Sequence, residues 1–203
     1  MPYTAKHKQN TRARIVECAR QLFNRRGFVE VSIDEIMAEA GLTRGGFYNH
    51  FNNKEDLFVE AIDLYAHCNP ADRWDDVALD FSASGRELAR QMINAYLSVA
   101  HLEDIAGHCP LIALPSDVAR ATPRVKASYR KLLEGMAGIF QAGVNSGNGE
   151  EPRDRGLALA ALCVGGMVLA RTFDDPAFGN EIREAVRLTA LEFIEKPSLR
   201  SRP

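Results

Sequence analysis

Apolar side chains recur at helical spacing along nearly the whole chain. Ile15, Val16, Ala19, Leu22 and Phe23 fall at i, i+1, i+4, i+7 and i+8, one face at the helical period. They predict a first helix opening at Asn10 or Thr11, either of which can cap it, and stopping at Gly27. Ser32 followed three residues later by Glu35 has the spacing of a capping box. The second helix starts there, buries Ile33, Ile36, Met37 and Ala40, and ends at Gly41 after two turns. Ala40, Gly41 and Leu42 then make a tight turn into a third start at Thr43, whose hydroxyl and first-turn amides face outward. Phe47 and Phe51 form the buried stripe of the third helix, with Leu22, Phe23, Ile36 and Leu57 expected beside them. Arg44, Gly45, Tyr48 and Asn49 lie off that stripe. Asn52 and Asn53 break the helix. Asn53 can cap a fourth, with Asp56 at its third position to complete the cap.

Residues 69–85, with a proline, a glycine and an isolated Trp74, read as a loop or a loosely ordered helix between domains. Helical spacing resumes near Gly85, with Leu88, Met92, Tyr96 and Val99 on one face, and is interrupted from Gly107 to Pro115. Pro123 opens another helix carrying Val125, Leu132, Leu133, Met136 and Phe140. A turn-rich stretch from Ala142 to Pro152 precedes a long apolar helix, which Asp174, Asp175 and Pro176 close. The last helix carries Ile182, Ala185, Val186, Thr189 and Phe193 on one face and ends at Lys196 and Pro197. The fold class is therefore all-α. The helix from Leu157 to Ala170 is apolar nearly all round and must be covered on every side. Its small residues Ala158, Ala161, Gly165 and Gly166 admit a close neighbour, and a partner subunit is the simplest cover. The uncharged run from Gly156 to Ala170 spans roughly 22 Å, short of the roughly 30 Å hydrocarbon core of a bilayer. A buried helix is expected there, not a membrane span.

Composition and charge sharpen this picture. A chain of 203 residues with 46% hydrophobic side chains can bury a core and is not a disordered polymer. The net charge of −2 conceals a split. Residues 1–29 carry seven basic side chains against Glu17 alone, a net +6 that leaves −8 on the remainder. A basic end on an acidic body suits local contact with a polyanion. Cys18, Cys68, Cys109 and Cys163 form no CxxC or paired framework and read as reduced thiols of a cytosolic protein. The basic N-terminus leads into no apolar signal-peptide core. No metal-ligand spacing is present, and no metal or cofactor is expected. His101, His108 and Cys109 could offer a thiol and a base, but no supported triad, phosphate loop or metal motif accompanies them. The chain is read as not an enzyme.

Two short helices joined by a three- or four-residue turn containing glycine are the helix-turn-helix pattern, which lays one helix in a major groove about 12 Å wide. Residues 11–58, "TRARIVECARQLFNRRGFVEVSIDEIMAEAGLTRGGFYNHFNNKEDLF", resemble the DNA-binding domain of the TetR family of bacterial transcriptional repressors. The most specific part runs from Gly41 to Phe58 and keeps Phe47-Tyr48, His50-Phe51 and Lys54-Glu55, with Gly27-Phe28 and Ser32 ahead of it. The resemblance implies an N-terminal three-helix helix-turn-helix domain over residues 1–55 and a larger helical ligand-binding and dimerisation domain over 56–203. It implies a homodimer through the last two long helices, a palindromic double-stranded DNA operator and release by a small-molecule effector. A transcriptional activator of the same fold, or a helical ligand-binding protein without specific DNA binding, are the alternatives.

Residue roles follow from both lines. Arg44 is the first choice for a base-edge contact, because its fork matches guanine O6 and N7. Thr43 could meet a phosphate or a base near the helix start, and Gly45 lets the backbone come close. Tyr48 and His50 resemble backbone-contacting positions of the family, Lys54 resembles a phosphate contact, and Asn49, Ser32 and Thr11 are weaker phosphate candidates. The Gly45-Gly46 pair departs from relatives that carry side chains there, leaving fewer direct readers. Met92, Tyr96, Cys109, Met136, Phe140 and Phe173 are the candidates for lining an effector pocket.

Overall fold

Ser32 and Glu35 make both halves of the expected cap. The Ser32 hydroxyl accepts from the Glu35 amide at 3.2 Å, and the Glu35 carboxylate accepts from the Ser32 amide at 2.8 Å. These distances come from a computed structural model that describes residues 5–67, 74, 77–144 and 152–195. Every regular element among the described residues is an α-helix. In chain order they are α1 (Ala5–Arg26), α2 (Ile33–Glu39), α3 (Arg44–Phe47), α4 (Lys54–Ala66), α5 (Gly85–Tyr96), α6 (Val99–Glu103), α7 (Pro110–Ala113), α8 (Pro115–Arg120), α9 (Pro123–Val144), α10 (Pro152–Ala170) and α11 (Pro176–Glu195).

Several starts and stops fall where the sequence sets them. Gly41 leaves α2 at φ +62°, Asn53 accepts from the Asp56 amide at 2.8 Å, and Pro123 and Pro152 occupy helix starts. Three local expectations are corrected. The first helix already runs from Ala5, so Thr11 sits within it and caps nothing. The third helix is a single turn that ends at Phe47 and continues as turns through His50. Gly45 and Gly46 each cost about 1 kcal/mol relative to alanine inside a helix, which explains its brevity. Asp56 does not return a bond to the Asn53 amide, because Asn52 and Arg124 occupy its carboxylate.

The chain divides into two compact units, residues 1–67 with 105–132, and 68–104 with 133–203. The first of these packing units joins residues 105–132 to the N-terminal helices. Continuous burial is the reason. Ile15, Phe23, Ile36, Met37, Phe47, Leu57, Phe58 and Ile62 share one core with Leu114, Val118 and Val125. Phe23, Phe28 and Phe58 are its aromatic centre, with Phe28 stacked on Phe58 at 4.5 Å and Phe23 edge-on to Phe58 at 5.1 Å. Buried polar groups add to this core. The Arg20 guanidinium donates to the Ala106 carbonyl at 3.0 Å, and the Asn24 amide donates to the carbonyls of Ala106 and His108 at 3.0 and 2.7 Å. Gly27, at φ +82°, ends α1 with Asp117 of α8 against it.

In the second unit α10 and α11 pack along each other, and α5 lies on α11. Arg183, buried in α11, donates to the Leu97 carbonyl at the end of α5, and Arg187 donates to Asn94 Oδ1 at 2.9 Å. Trp74 is buried, stacks on His101 at 4.5 Å and donates to Asp104 at 3.1 Å, so the expected loop contains an anchored residue. Val99, expected on the buried face of the same helix as Met92 and Tyr96, instead opens α6 and is exposed. Two glycines allow α10 to approach its neighbours. A Cβ on Gly156 would meet the Ala137 carbonyl oxygen at 2.5 Å, and one on Gly166 would meet Val186 at 2.7 Å.

Two outcomes test this account. Phe58→Ala removes the ring shared by Phe23 and Phe28 and is expected to cost about 3–5 kcal/mol in urea denaturation. Glu35 carries the second. The Ser32 amide, then Arg26 and the Ser32 hydroxyl, lower its pKa from 4.5 to about 2. A depressed carboxylate pKa stabilises the fold above the ordinary value, and that contribution disappears as pH falls through about 2. The stability gap between the native chain and Glu35→Gln should therefore be constant near neutral pH and close on acidification. A gap independent of pH would contradict the cap's charge dependence.

Candidate nucleic-acid interface

The turn from Ala40 to Thr43 delivers α3 to the surface with its apolar side pinned. Phe47 is fully buried and Phe51 nearly so, their rings 5.5 Å apart. Above them Thr43, Arg44, Gly45, Tyr48 and Asn49 are all exposed. The Thr43 side chain makes no capping bond, and a Cβ added at Gly45 would meet nothing within 4 Å. Tyr48 is 58% exposed while its ring edge packs on Phe47. The sequence-marked readers are thus gathered on one short segment over a rigid apolar floor.

Arg44 is exposed and already directed. Its Nη1 donates to Asp34 Oδ2 in the first turn of α2 at 2.8 Å. Asp34 is not among the residues that the sequence marks. Nothing in a ten-residue separation across a turn signals such a pair.

His50 is half-buried, and its Nδ1 has no hydrogen-bond partner. Burial, followed by the nearby Lys8 and Arg12 charges, pushes its pKa down, so the ring is biased toward its neutral form. Arg12, another residue without a sequence signal, holds this corner together. Its guanidinium donates to the His50 carbonyl and to both carboxylate oxygens of Glu60, and lies 4.1 Å from the Phe51 ring centroid.

The sequence marks Lys54 as a phosphate contact, but its ammonium turns inward, donating to the carbonyls of Phe28 and Val31 at 2.7 Å each and lying 4.3 Å from the Phe28 ring centroid. Burial lowers its pKa, while Asp117 and Glu35 oppose that shift. Lys54 is a strut for the α1–α2 turn. The two carbonyls that recruit it leave no trace in side-chain sequence. Ser32 also commits its hydroxyl, to the cap of α2, and Thr11 is half-buried within α1.

Met92, Tyr96, Met136 and Phe140 are buried in the second unit, whereas Cys109 belongs to the first, where it precedes α7. Phe173 is 46% exposed and packs edge-on to Phe178, which is 44% exposed. The turn between α10 and α11, which the Asp175 side chain caps, carries it outward. Cys163 is buried, which pushes its thiol up to about 12.

Among the described residues no helix is long and apolar enough to cross a membrane. Residues 15–61 match the family described as bacterial regulatory proteins, tetR family. Over 95 residues the chain is 36% identical to the probable HTH-type transcriptional regulator ArpR of Pseudomonas putida, covering 45% of each sequence. It is 42% identical over 60 residues to the HTH-type transcriptional regulator TtgR, also of Pseudomonas putida, 30% of this chain and 29% of that one. The chain thus spans less than half the length of these curated relatives. The whole fold is similar to that of a TetR transcriptional regulator from Chloroflexus aurantiacus J-10-FL, with a TM-score of 0.71 at 22% identity over 95% of this chain and 98% of that one. It is similar also to reduced E. coli NemR, with a TM-score of 0.70 at 18% identity over 90% and 96% of the two chains. The capped pair α2–α3 lies within the stretch that matches the tetR family of bacterial regulatory proteins, and the helices that follow share the fold of the solved TetR regulators.

Proposed function

We propose that the chain is a transcriptional regulator that binds a palindromic DNA operator as a homodimer and represses until a small-molecule effector releases it. The observation that carries this reading is the α3 segment, with Thr43, Arg44, Tyr48 and Asn49 exposed above buried Phe47. Arg44 reads a base edge, and Thr43, Tyr48 and Asn49 fix the register through phosphates, with Gly45 admitting close approach of the backbone. His50, half-exposed beside this segment, adds a phosphate contact. The exposed basic residues Lys6, Lys8 and Arg14 at the start of α1 supply the sequence-independent attraction. Lys54 and Ser32 support this surface from beneath.

The dimer rests on α10 and α11. Gly156 and Gly166 face neighbours inside the chain, but Ala158, Ala161 and Leu169 of α10 are exposed on another side, beside half-buried Leu162 and Gly165. Ala185 and Leu188 of α11 are exposed as well. A second copy covering this apolar face gives a two-fold dimer, which sets two reading heads about one DNA turn, roughly 34 Å, or more apart. The effector is assigned to the second unit, where Met92, Tyr96, Met136 and Phe140 are buried. A shift from 99:1 to 1:99 needs about 5.5 kcal/mol of differential binding. Where the operator lies relative to the promoter decides repression or activation, and a DNA-bound role places the protein in the cytoplasm.

Selection from a randomised duplex pool at about 0.15 M salt tests the reading. Enrichment of one palindrome is expected. Arg44→Ala should relax the preference at a single base pair per half-site by about 1–3 kcal/mol, while Tyr48→Phe should weaken all sequences alike. Sedimentation equilibrium should give a dimer that Leu169→Glu converts to monomer. A folded dimer that enriches no sequence would remove the DNA-binding reading.

A further inference from the structure

Asp34 has no part in the cap it stands beside. The cap of α2 is complete with Ser32 and Glu35, and Glu35 also takes Arg26 at 2.6 Å. The carboxylate of Asp34 makes one hydrogen bond, to Nη1 of Arg44 at 2.8 Å. Both side chains are more than half exposed, 56% and 65%, so the pair adds little to the stability of the fold. It does fix a geometry. The pair spans the turn from the first turn of α2 to the first residue of α3 and engages only one end of the guanidinium. The Nε–Nη2 edge stays open, and that edge has the spacing of guanine O6 and N7. An arginine without such a partner samples many rotamers and binds the nearest phosphate as readily as a base.

Resting on the DNA-binding reading above, we infer that Asp34 is the specificity-determining partner of Arg44, holding its guanidinium edge-on for a guanine in each half-site. Asp34 thereby trades general affinity for selectivity. Its negative charge opposes DNA as a polyanion, and its carboxylate keeps Arg44 off the phosphates. The gain is in preorganisation, since the reading rotamer is populated before DNA arrives.

The test measures binding of the full-length protein to its enriched palindrome, to that palindrome with the Arg44 base pair replaced, and to an unrelated duplex, across a salt series. Asp34→Ala should cut discrimination at that base pair about two- to fivefold while tightening binding to unrelated DNA. It should also steepen the salt dependence of non-specific binding by about one unit per protomer, as Arg44 falls back on phosphate. Asp34→Asn keeps an acceptor oxygen and should retain the discrimination. In an Arg44→Ala background, Asp34→Ala should no longer change discrimination, an outcome that a merely structural role for Asp34 would not produce. Unchanged discrimination in Asp34→Ala, with the native protein selecting its palindrome, would overturn the inference alone. Equal tightening on all three duplexes would do the same, marking Asp34 as a simple electrostatic brake. A native protein that selects no sequence would overturn both the inference and the reading beneath it.

Discussion

A four-residue helix with two glycines cannot hold its own shape in water. Nucleating a helical turn is unfavourable, and Gly45 and Gly46 worsen it. The exposed segment of this protein is therefore imposed from below. Phe47 and Phe51 sink into a core shared with α1, α2 and α4, and the chain on either side is fastened by charged groups used as hardware. Lys54 gathers the carbonyls at residues 28 and 31, and Arg12 gathers the one at residue 50. Arg12 and Arg20, two of the cations that make residues 1–29 basic, are thus committed to backbone carbonyls of the fold. Counting charge along the sequence overstates what is available to a polyanion.

The sequence is most legible where a side chain meets its own nearby backbone. Ser32 with Glu35, Asn53 with the Asp56 amide, Gly41 past the end of α2, and prolines at 123 and 152 are local devices, and local spacing reveals them. Burial at Phe23, Ile36, Phe47 and Leu57 is legible for the same reason, through helical periodicity. What stays hidden depends on partners distant in sequence. The inward turn of Lys54 needs carbonyls 23 and 26 residues away, and the Arg44–Asp34 pair needs the α2–α3 turn to close first. The pairing of Phe173, just after α10, with the ring of Phe178 is equally hidden, since it needs the turn into α11 to form first.

The small residues of α10 show how one composition serves two purposes. The sequence offers Ala158, Ala161, Gly165 and Gly166 alike as room for a close neighbour. The structure separates them, because Gly166 is consumed by close packing on Val186 within the chain, whereas Gly165 has no atom within 4 Å of where its Cβ would stand. An all-round apolar helix is thus covered on its inner sides and left bare on one.

Membership of the first unit has a practical corollary for anyone who would exchange reading heads between regulators. Residues 105–132 lie far from the head in sequence but contribute Leu114, Val118 and Val125 to its core, and the carbonyls of Ala106 and His108 receive Arg20 and Asn24. A chimera cut after residue 67 would strand a buried guanidinium and a buried amide and strip a flank from the aromatic centre. The transferable cassette in this chain is discontinuous, made of two stretches of sequence that must travel together.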